Sequence, residues 1–274
     1  PVIGVEVKGA KRWLNFFGLR FQPIEFIKPF FILIVAQIIS SSRIKNINFS
    51  YFSSFILLSG IVFLLVGQPD LGQSILLICT WSSLIFISGV NIYFLILLLI
   101  FVILLFFGLL YIAPEKFYYI ITRLTSFLDP SKSDSFQSQK AIEAIRQGGL
   151  KGQGMGEGIL KESVPEAHTD YIIAVVSEEF GSIISVLIIS IFIFIAFRVV
   201  KRVINFSSNF YKLALCGLAS LLIFQTFIHV GVNANLLPTT GMTLPFLSYG
   251  GSSLLSSGIL AGIILNYTSL EVKN

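Results

Sequence analysis

Charge is what this sequence has least of. Only 12% of its 274 residues are Asp, Glu, Lys or Arg, against about 25% in soluble domains. Two cysteines and two histidines complete the short supply of reactive side chains. Cys79 and Cys216 both lie inside apolar runs, so they read as small hydrophobes, not as a disulfide or a metal pair. No His or Cys pair has metal-ligand spacing, no Ser-His-Asp arrangement can be inferred, and no signal-peptide pattern follows Pro1. What is abundant is apolar: 55% of residues are hydrophobic, and 27 are Phe. A soluble chain of this composition would show water large apolar patches. A soluble enzyme, a nucleic-acid-binding module and a disordered tail are therefore excluded, and the composition is that of a polytopic membrane protein.

A helix needs about 20 apolar residues to cross a bilayer. Seven runs qualify: 23–41, 51–67, 72–89, 92–112, 170–197, 210–232 and 243–267. None alternates as a barrel strand would, so the expected fold is an all-α helical bundle. The net charge is +5. Arg43 and Lys45 in the 42–50 loop, and Arg198, Lys201, Arg202 and Lys212 in the 198–212 loop, have no acidic neighbours. The positive-inside rule makes those loops cytoplasmic. The short 68–71 and 233–242 turns and the long 113–169 segment then fall outside, together with Lys8, Lys11, Arg12 and Arg20, against the rule. The 113–169 loop balances seven basic with seven acidic residues. A loop of that length is usually functional or disordered, and this one is expected to fold back over the bundle.

Ionisable residues in or beside spans are costly and count as functional hypotheses. Glu25 and Lys28 stand i,i+3 on one helical face. They either neutralise each other or line a cavity where the lysine meets an anionic substrate. Asp70 precedes the third run, and His229 lies inside the sixth. Asp170 opens the fifth, following Pro165-Glu166-Ala167-His168-Thr169. It reads as a helix-start acid facing the macrodipole, or as a general base between loop and cavity, with His168 near enough to tune it. Glu178 and Glu179, deeper on the same helix, read as structural polar contacts.

The run Gly148-Gly149-Leu150-Lys151-Gly152-Gln153-Gly154-Met155-Gly156-Glu157-Gly158 lacks the preceding strand and the Gly-Lys-Ser/Thr ending of a phosphate loop. A flexible hinge is the favoured reading, with pyrophosphate contact through Lys151 or Lys161 left open. Between Pro238 and Ser253, prolines, glycines and hydroxyls break the helical pattern. Irregular backbone at membrane depth persists only when buried in protein or lining a wet cavity. This stretch predicts a polar cavity beside the loop bearing Asp170.

Several separated motifs, in order, resemble the SEDS family of bacterial cell-wall proteins (shape, elongation, division and sporulation). They are Lys11-Arg12-Trp13, Gln22-Pro23-Ile24-Glu25-Phe26-Ile27-Lys28, Gln68-Pro69-Asp70-Leu71-Gly72 and Phe127-Leu128-Asp129-Pro130. Gly148-Gly149-Leu150-x-Gly152, Pro165-Glu166-Ala167-His168-Thr169-Asp170, Glu178-Glu179-Phe180-Gly181 and Leu244 through Ser253 complete the set. Nearly the whole chain is covered. The Pro-Glu-Ala-His-Thr-Asp and Gly-Glu-Gly-x-x-Lys motifs resemble the division branch more than the elongation branch. Ile24, Gln73 and Phe136 depart from the family's usual Ser, Thr or Ser, and Tyr.

The resemblance implies a single membrane domain over 1–274, with 113–169 as its large extracytoplasmic loop. Family members have about ten spans, so about two N-terminal spans are expected to be missing here. It also implies a peptidoglycan glycosyltransferase that polymerises lipid II in the bacterial cytoplasmic membrane, at the division septum. Asp170 matches the family's essential loop aspartate and takes the role of general base toward the acceptor hydroxyl. The pyrophosphate leaving group needs cations: Arg12 and Lys28 first, then Lys151 and Lys161, with a divalent ion (Mg or Mn) able to share the work. Trp13, Glu25, His168 and Ser248 complete the expected substrate-binding set. Expected partners are lipid II, a class B penicillin-binding protein and other divisome membrane proteins, with no nucleic acid. Two other readings compete: a lipid II flippase, which needs charges near the midplane, and a scaffold for a penicillin-binding protein, which needs no particular carboxylate.

Overall fold

The computed structural model describes residues 4–7, 10–16, 19–41, 47–93, 96–98, 100, 104, 108, 117–128, 136–164 and 166–270. Lys8, the 42–46 loop with Arg43 and Lys45, most of the expected 92–112 span, Asp129-Pro130 and Pro165 lie outside the described residues. Three short antiparallel strands come first, which the all-α expectation did not include: β1 (Val5–Val7), β2 (Ala10–Phe16) and β3 (Leu19–Phe21). They pair in chain order, with Val5 opposite Trp13 and Asn15 opposite Arg20.

The rest is helical. The apolar helices are α1 (Pro23–Ser40), α2 (Ile47–Val66) and α3 (Leu71–Ile87). The long loop supplies α4 (Tyr118–Leu128), α5 (Phe136–Gly148) and the single turn α6 (Leu160–Ser163). Then follow α7 (Ile172–Phe180), α8 (Ser182–Val203), α9 (Asn209–Asn233) and α10 (Gly251–Leu270). By length and composition α1, α8, α9 and residues Phe49–Val66 of α2 can each cross a membrane, and α3 is a shorter apolar helix. The chain is thus an all-α polytopic membrane protein in its architecture.

Burial sorts these helices. In α9, 72% of the apolar window is inside the protein, against 22% in α2 and α8. So α9 is the axial helix, packed by α1, α3, α8 and α10, while α2 and α8 turn Phe, Ile and Leu outward to lipid. Phe31, Ile32, Leu76, Leu84, Leu215 and Leu218 form the main core.

Two expected spans are corrected. The 170–197 run is not one helix: Gly181, at φ +87° and ψ +165°, separates α7 from α8. Ser177, Glu178 and Glu179 interrupt the apolar run just before that point, so the sequence carried a mark of the break that the span assignment passed over. The 243–267 run becomes helical only at Gly251. The first two turns of α10 bury Ser252, Ser253, Ser256 and Ser257 against the protein. One of these repairs α1. Pro29 has no N–H for the Glu25 carbonyl one turn back, and Ser256 Oγ donates to that carbonyl at 2.5 Å.

The long loop folds back onto the end of the bundle, as expected. A second core of Ala141, Ala144, Leu160, Val164, Ala167, Tyr171, Ala174 and Val175 joins α5 and α6 to α7, with Val232 of α9 beneath. This core fixes the segment that carries Asp170.

Candidate active site

A cavity of about 830 Å³ opens at the end of the bundle where β2, α4, the 166–170 turn and the 239–253 segment meet. Its wall includes Arg12, Trp13, Glu25 and Asp170, all singled out in the sequence. The irregular backbone after Pro238 supplies Thr239, Gly241, Thr243, Tyr249 and Gly250 to the same wall.

Asp170 stands at the edge of the second core, half-buried. Its amide donates to the Glu166 carbonyl at 3.0 Å, closing a tight turn before α7. Gly241, at φ +71°, faces it. A Cβ there would lie 3.6 Å from Asp170 Oδ2 and 3.9 Å from Arg12 Nη1. Carboxylate and guanidinium therefore flank one point of the wall. Two carbonyls just before Asp170 are also held. The Tyr249 amide donates to the His168 carbonyl at 2.9 Å, and Ser248 Oγ donates to the Thr169 carbonyl at 2.6 Å.

Arg12 reaches across from β2. Its Nε donates to the Gln68 carbonyl at 3.1 Å, Nη2 donates to the Pro69 carbonyl, and Nη1 lies 3.7 Å from Asp70 Oδ2. Asp70 is 2% exposed and caps α3 through the Gln73 amide, 3.4 Å away. Burial pushes its carboxyl above the usual range, and Arg12 pulls it back only in part. Tyr171 also shifts upward, first because it is buried and then because of the Asp170 charge.

Several expected substrate contacts are placed elsewhere. Lys28 is 1% exposed and does not line the cavity. It pairs with Glu25 Oε2 at 2.8 Å and donates to Gln225 Oε1 at 3.4 Å. Gln73 Nε2 donates to Glu25 Oε1 at 2.8 Å, and Gln225 Nε2 to the Thr243 carbonyl at 2.9 Å. The pair is self-neutralised, and an anion in the cavity meets Glu25 before Lys28. Ser248 is buried, its proton engaged by Thr169 and its oxygen accepting from the Leu244 amide at 2.8 Å. It shapes the wall without lining it. His168 is exposed and is not among the residues that line the cavity. His229 is buried in α9, where Nδ1 donates to the Met242 carbonyl at 2.8 Å.

Lys151 and Lys161 are also absent from the cavity wall. Lys161 donates to the Gly156 carbonyl at 2.7 Å and pairs with Glu179 at 3.2 Å. The glycine run is not a hinge. A Cβ on Gly148 would collide with the Ser177 carbonyl oxygen, and one on Gly152 with that of Glu179. The Gln153 and Gly154 amides donate to the Glu178 and Glu179 carbonyls at 2.9 and 3.1 Å. The Glu178 carboxylate accepts from the Ile159 and Leu160 amides at 2.9 and 3.1 Å. Gly148 and Gly152 are there because two backbones touch, and Gly154 and Gly156 because their φ is positive.

Sequence reasoning missed Arg20, Gln22 and Arg123 on the wall. Arg123 Nη1 donates to the Thr239 carbonyl at 2.7 Å. A signal for it existed: Tyr118, Thr122, Arg123 and Ser126 share one face of α4, and that face lines the cavity. Among the described residues no three His, Cys, Asp or Glu side chains converge as a metal site. Glu166 and Asp170 both line the cavity, which suits a hard cation completed by phosphate oxygens and water.

Comparison with known proteins identifies the family. The model of the FtsW/RodA/SpoVE family, described as cell cycle protein, matches residues 1–272. A Caulobacter vibrioides protein named probable peptidoglycan glycosyltransferase FtsW is 38% identical over 276 residues, covering 97% of this chain and 67% of that protein. The crystal structure of rod shape determining protein RodA from Thermus thermophilus matches with a TM-score of 0.64 at 27% identity, over 97% of this chain and 71% of that one. A chain from a structure described as "structural coordination of polymerization and crosslinking by a peptidoglycan synthase complex" reaches a TM-score of 0.77 at 27% identity, over 97% and 75% of the two chains. With nearly its whole length matched in sequence and in fold, this chain belongs to the FtsW/RodA/SpoVE family, the SEDS proteins.

Proposed function

We propose that this chain is a peptidoglycan glycosyltransferase that polymerises lipid II, with Asp170 as its general base. The observation that carries the reading is the shared wall. Asp170 and the guanidiniums of Arg12, Arg20 and Arg123 border one open cavity at the end of the bundle. An acceptor sugar hydroxyl is a poor nucleophile until a base takes its proton as the new bond forms. Asp170 takes that proton. The acceptor oxygen bonds to the donor's anomeric carbon while the bond from that carbon to the lipid pyrophosphate breaks. The pyrophosphate leaves with the electron pair, and the arginines meet its charge. Attack from the opposite face inverts the anomeric centre. A divalent cation, when bound, would add charge neutralisation on the leaving group, with Glu166 on the cavity wall as its protein ligand.

The flippase reading needs mobile charge near the midplane and a through path. Glu25 and Lys28, buried on α1, are tied to each other, which favours the polymerase. Placement in the division machinery at the septum, and pairing with a class B penicillin-binding protein that cross-links the product, belong to the same proposal. The relative named FtsW and the neighbour from a synthase complex support them.

The test is glycan polymerisation from purified lipid II by the intact polypeptide with its transpeptidase partner, comparing parent and Asp170→Asn. Polymer from the parent and none from a folded variant supports the reading. Equal polymer from both removes Asp170 as base and turns the search to Glu166 or Glu25.

A further inference from the structure

Asp170 precedes a helix that lacks its own cap. Tyr171, at the N-cap of α7, makes no side-chain capping bond, so the first amides of α7 need acceptors from elsewhere. One acceptor comes from another helix. Asn233 is the last residue of α9 and is 1% exposed. Its Oδ1 accepts at 3.0 Å from the Ala174 amide, which also donates to the Tyr171 carbonyl at 2.9 Å. Its Nδ2 donates to the Asp170 carbonyl at 2.9 Å and to the His229 carbonyl at 2.8 Å. One amide therefore holds the end of α9, the backbone of Asp170 and the first turn of α7. It is also the third donor in a row, because the carbonyls of His168 and Thr169 are held by the Tyr249 amide and Ser248 Oγ. Three consecutive peptide units are fixed by the last third of the chain, so the Asp170 carboxylate projects from an immobile base.

We infer that Asn233 is a positioning residue that sets the reach of the Asp170 carboxylate toward the cavity. The inference rests on the reading of Asp170 as the general base. Asn233 is absent from the cavity lining, so any effect on the reaction passes through the backbone it holds, that of Asp170 included. Removing it frees the Asp170 peptide by a fraction of an ångström or more, and a misplacement of about 1 Å costs roughly 100-fold in rate.

The experiment measures kcat and KM for lipid II polymerisation by the intact polypeptide in liposomes, normalised to the folded fraction from size exclusion. Asn233→Ala removes both halves of the amide. Asn233→Asp keeps the volume and the acceptor for Ala174 but removes the donor to Asp170, and it serves where the alanine variant folds poorly. Each is made alone and with Asp170→Glu, whose longer arm already misplaces the carboxylate. The expected result is a kcat lowered about 10- to 100-fold, with KM within about twofold and little further loss in the Asp170→Glu background. Parental kcat per folded molecule overturns the inference. So does an equal further loss in the Asp170→Glu background, which marks an independent structural effect. An Asp170→Asn enzyme at parental rate removes the underlying reading instead. Active Asn233 variants beside an inactive Asp170→Asn remove only the positioning role.

Discussion

Two groups of charges occupy the same end of this bundle, one closed and one open. In the closed group Glu25, Lys28, Gln73 and Gln225 hold each other in a buried chain that meets the cavity wall only at Glu25. In the open group Asp170, Arg12 and Arg123 border the 830 Å³ cavity, held by backbone carbonyls and by the fold beneath them. Both groups contain the residue types expected of catalysis in a membrane. The difference teaches that an intramembrane charge signals chemistry when it stands at an open wall, as Asp170 and Arg12 do, and not when burial closes it in, as for Lys28.

The largest effect tests the open side. Asp170→Asn keeps the size of the side chain and some hydrogen bonding but cannot take a proton. A positioned general base contributes about 10² to 10⁴ in rate, so kcat should fall by that order while the thermal midpoint stays put. A variant that loses its midpoint as well would place Asp170 with the closed group.

The closed side should behave oppositely. Lys28→Ala leaves Glu25 buried and unpaired, which destabilises by about 3–5 kcal/mol. Replacing both, Glu25→Gln with Lys28→Met, should recover most of that loss, because a buried pair is often near neutral against apolar or neutral groups. Denaturation of the purified protein in detergent reads both values. If Lys28→Ala is stable but fails to polymerise, the lysine meets substrate after all, and the cavity extends deeper than the resting structure.

The contrast between the two groups was only half legible in sequence. The membrane class and the helical bundle followed from apolar runs, because hydropathy over a span is a local property. The pairing of Glu25 with Lys28 followed from i,i+3 spacing, and the polar cavity from the broken pattern after Pro238. The rest depended on contacts between distant segments. Gly181 breaks a helix just after Glu178 and Glu179, and its positive φ together with the close approach of the Leu150 backbone requires a glycine there. Lys151 and Lys161 looked like phosphate ligands, but the Gly-rich segment they flank is packed on Glu178 and Glu179. Arg123 was counted as one charge in a balanced loop, and the face of α4 that carries it was not read. Asn233 had no local signal, since its partners lie 59 and 63 residues away.

A smaller effect probes the spacing on the open side. Gly241→Ala places a methyl between Asp170 and Arg12 and keeps it at ordinary contact distance from both. The positive φ should destabilise by about 1–2 kcal/mol. Polymerisation should drop several-fold beyond any loss of folded protein, because the methyl occupies the point both groups flank. A stability loss with unchanged kcat would show that substrate does not enter between them.

The smallest effect sharpens the boundary between the groups. Asp70 belongs to neither: it is buried like Glu25, but its cation, Arg12, borders the cavity. Its contacts are long, at 3.3 Å to Gln22, 3.4 Å to the Gln73 amide and 3.7 Å to Arg12. They do not offset the cost of burial, so its carboxyl is raised. A raised acid stabilises the fold below its unfolded value and loses that contribution as pH climbs through the folded value. At neutral pH the ionised Asp70 is therefore a liability, and Asp70→Asn removes the charge while keeping an oxygen to cap α3. Arg12 is not stranded by the change, since it retains two carbonyl acceptors and the cavity. Asp70→Asn should match or exceed the parent at pH 7 and lose that advantage as both are acidified. Thermal midpoints at neutral and acid pH decide it. A variant markedly weaker than the parent at pH 7 would mean that the Arg12 pair outweighs burial, and Asp70 would then join the closed group beside Glu25.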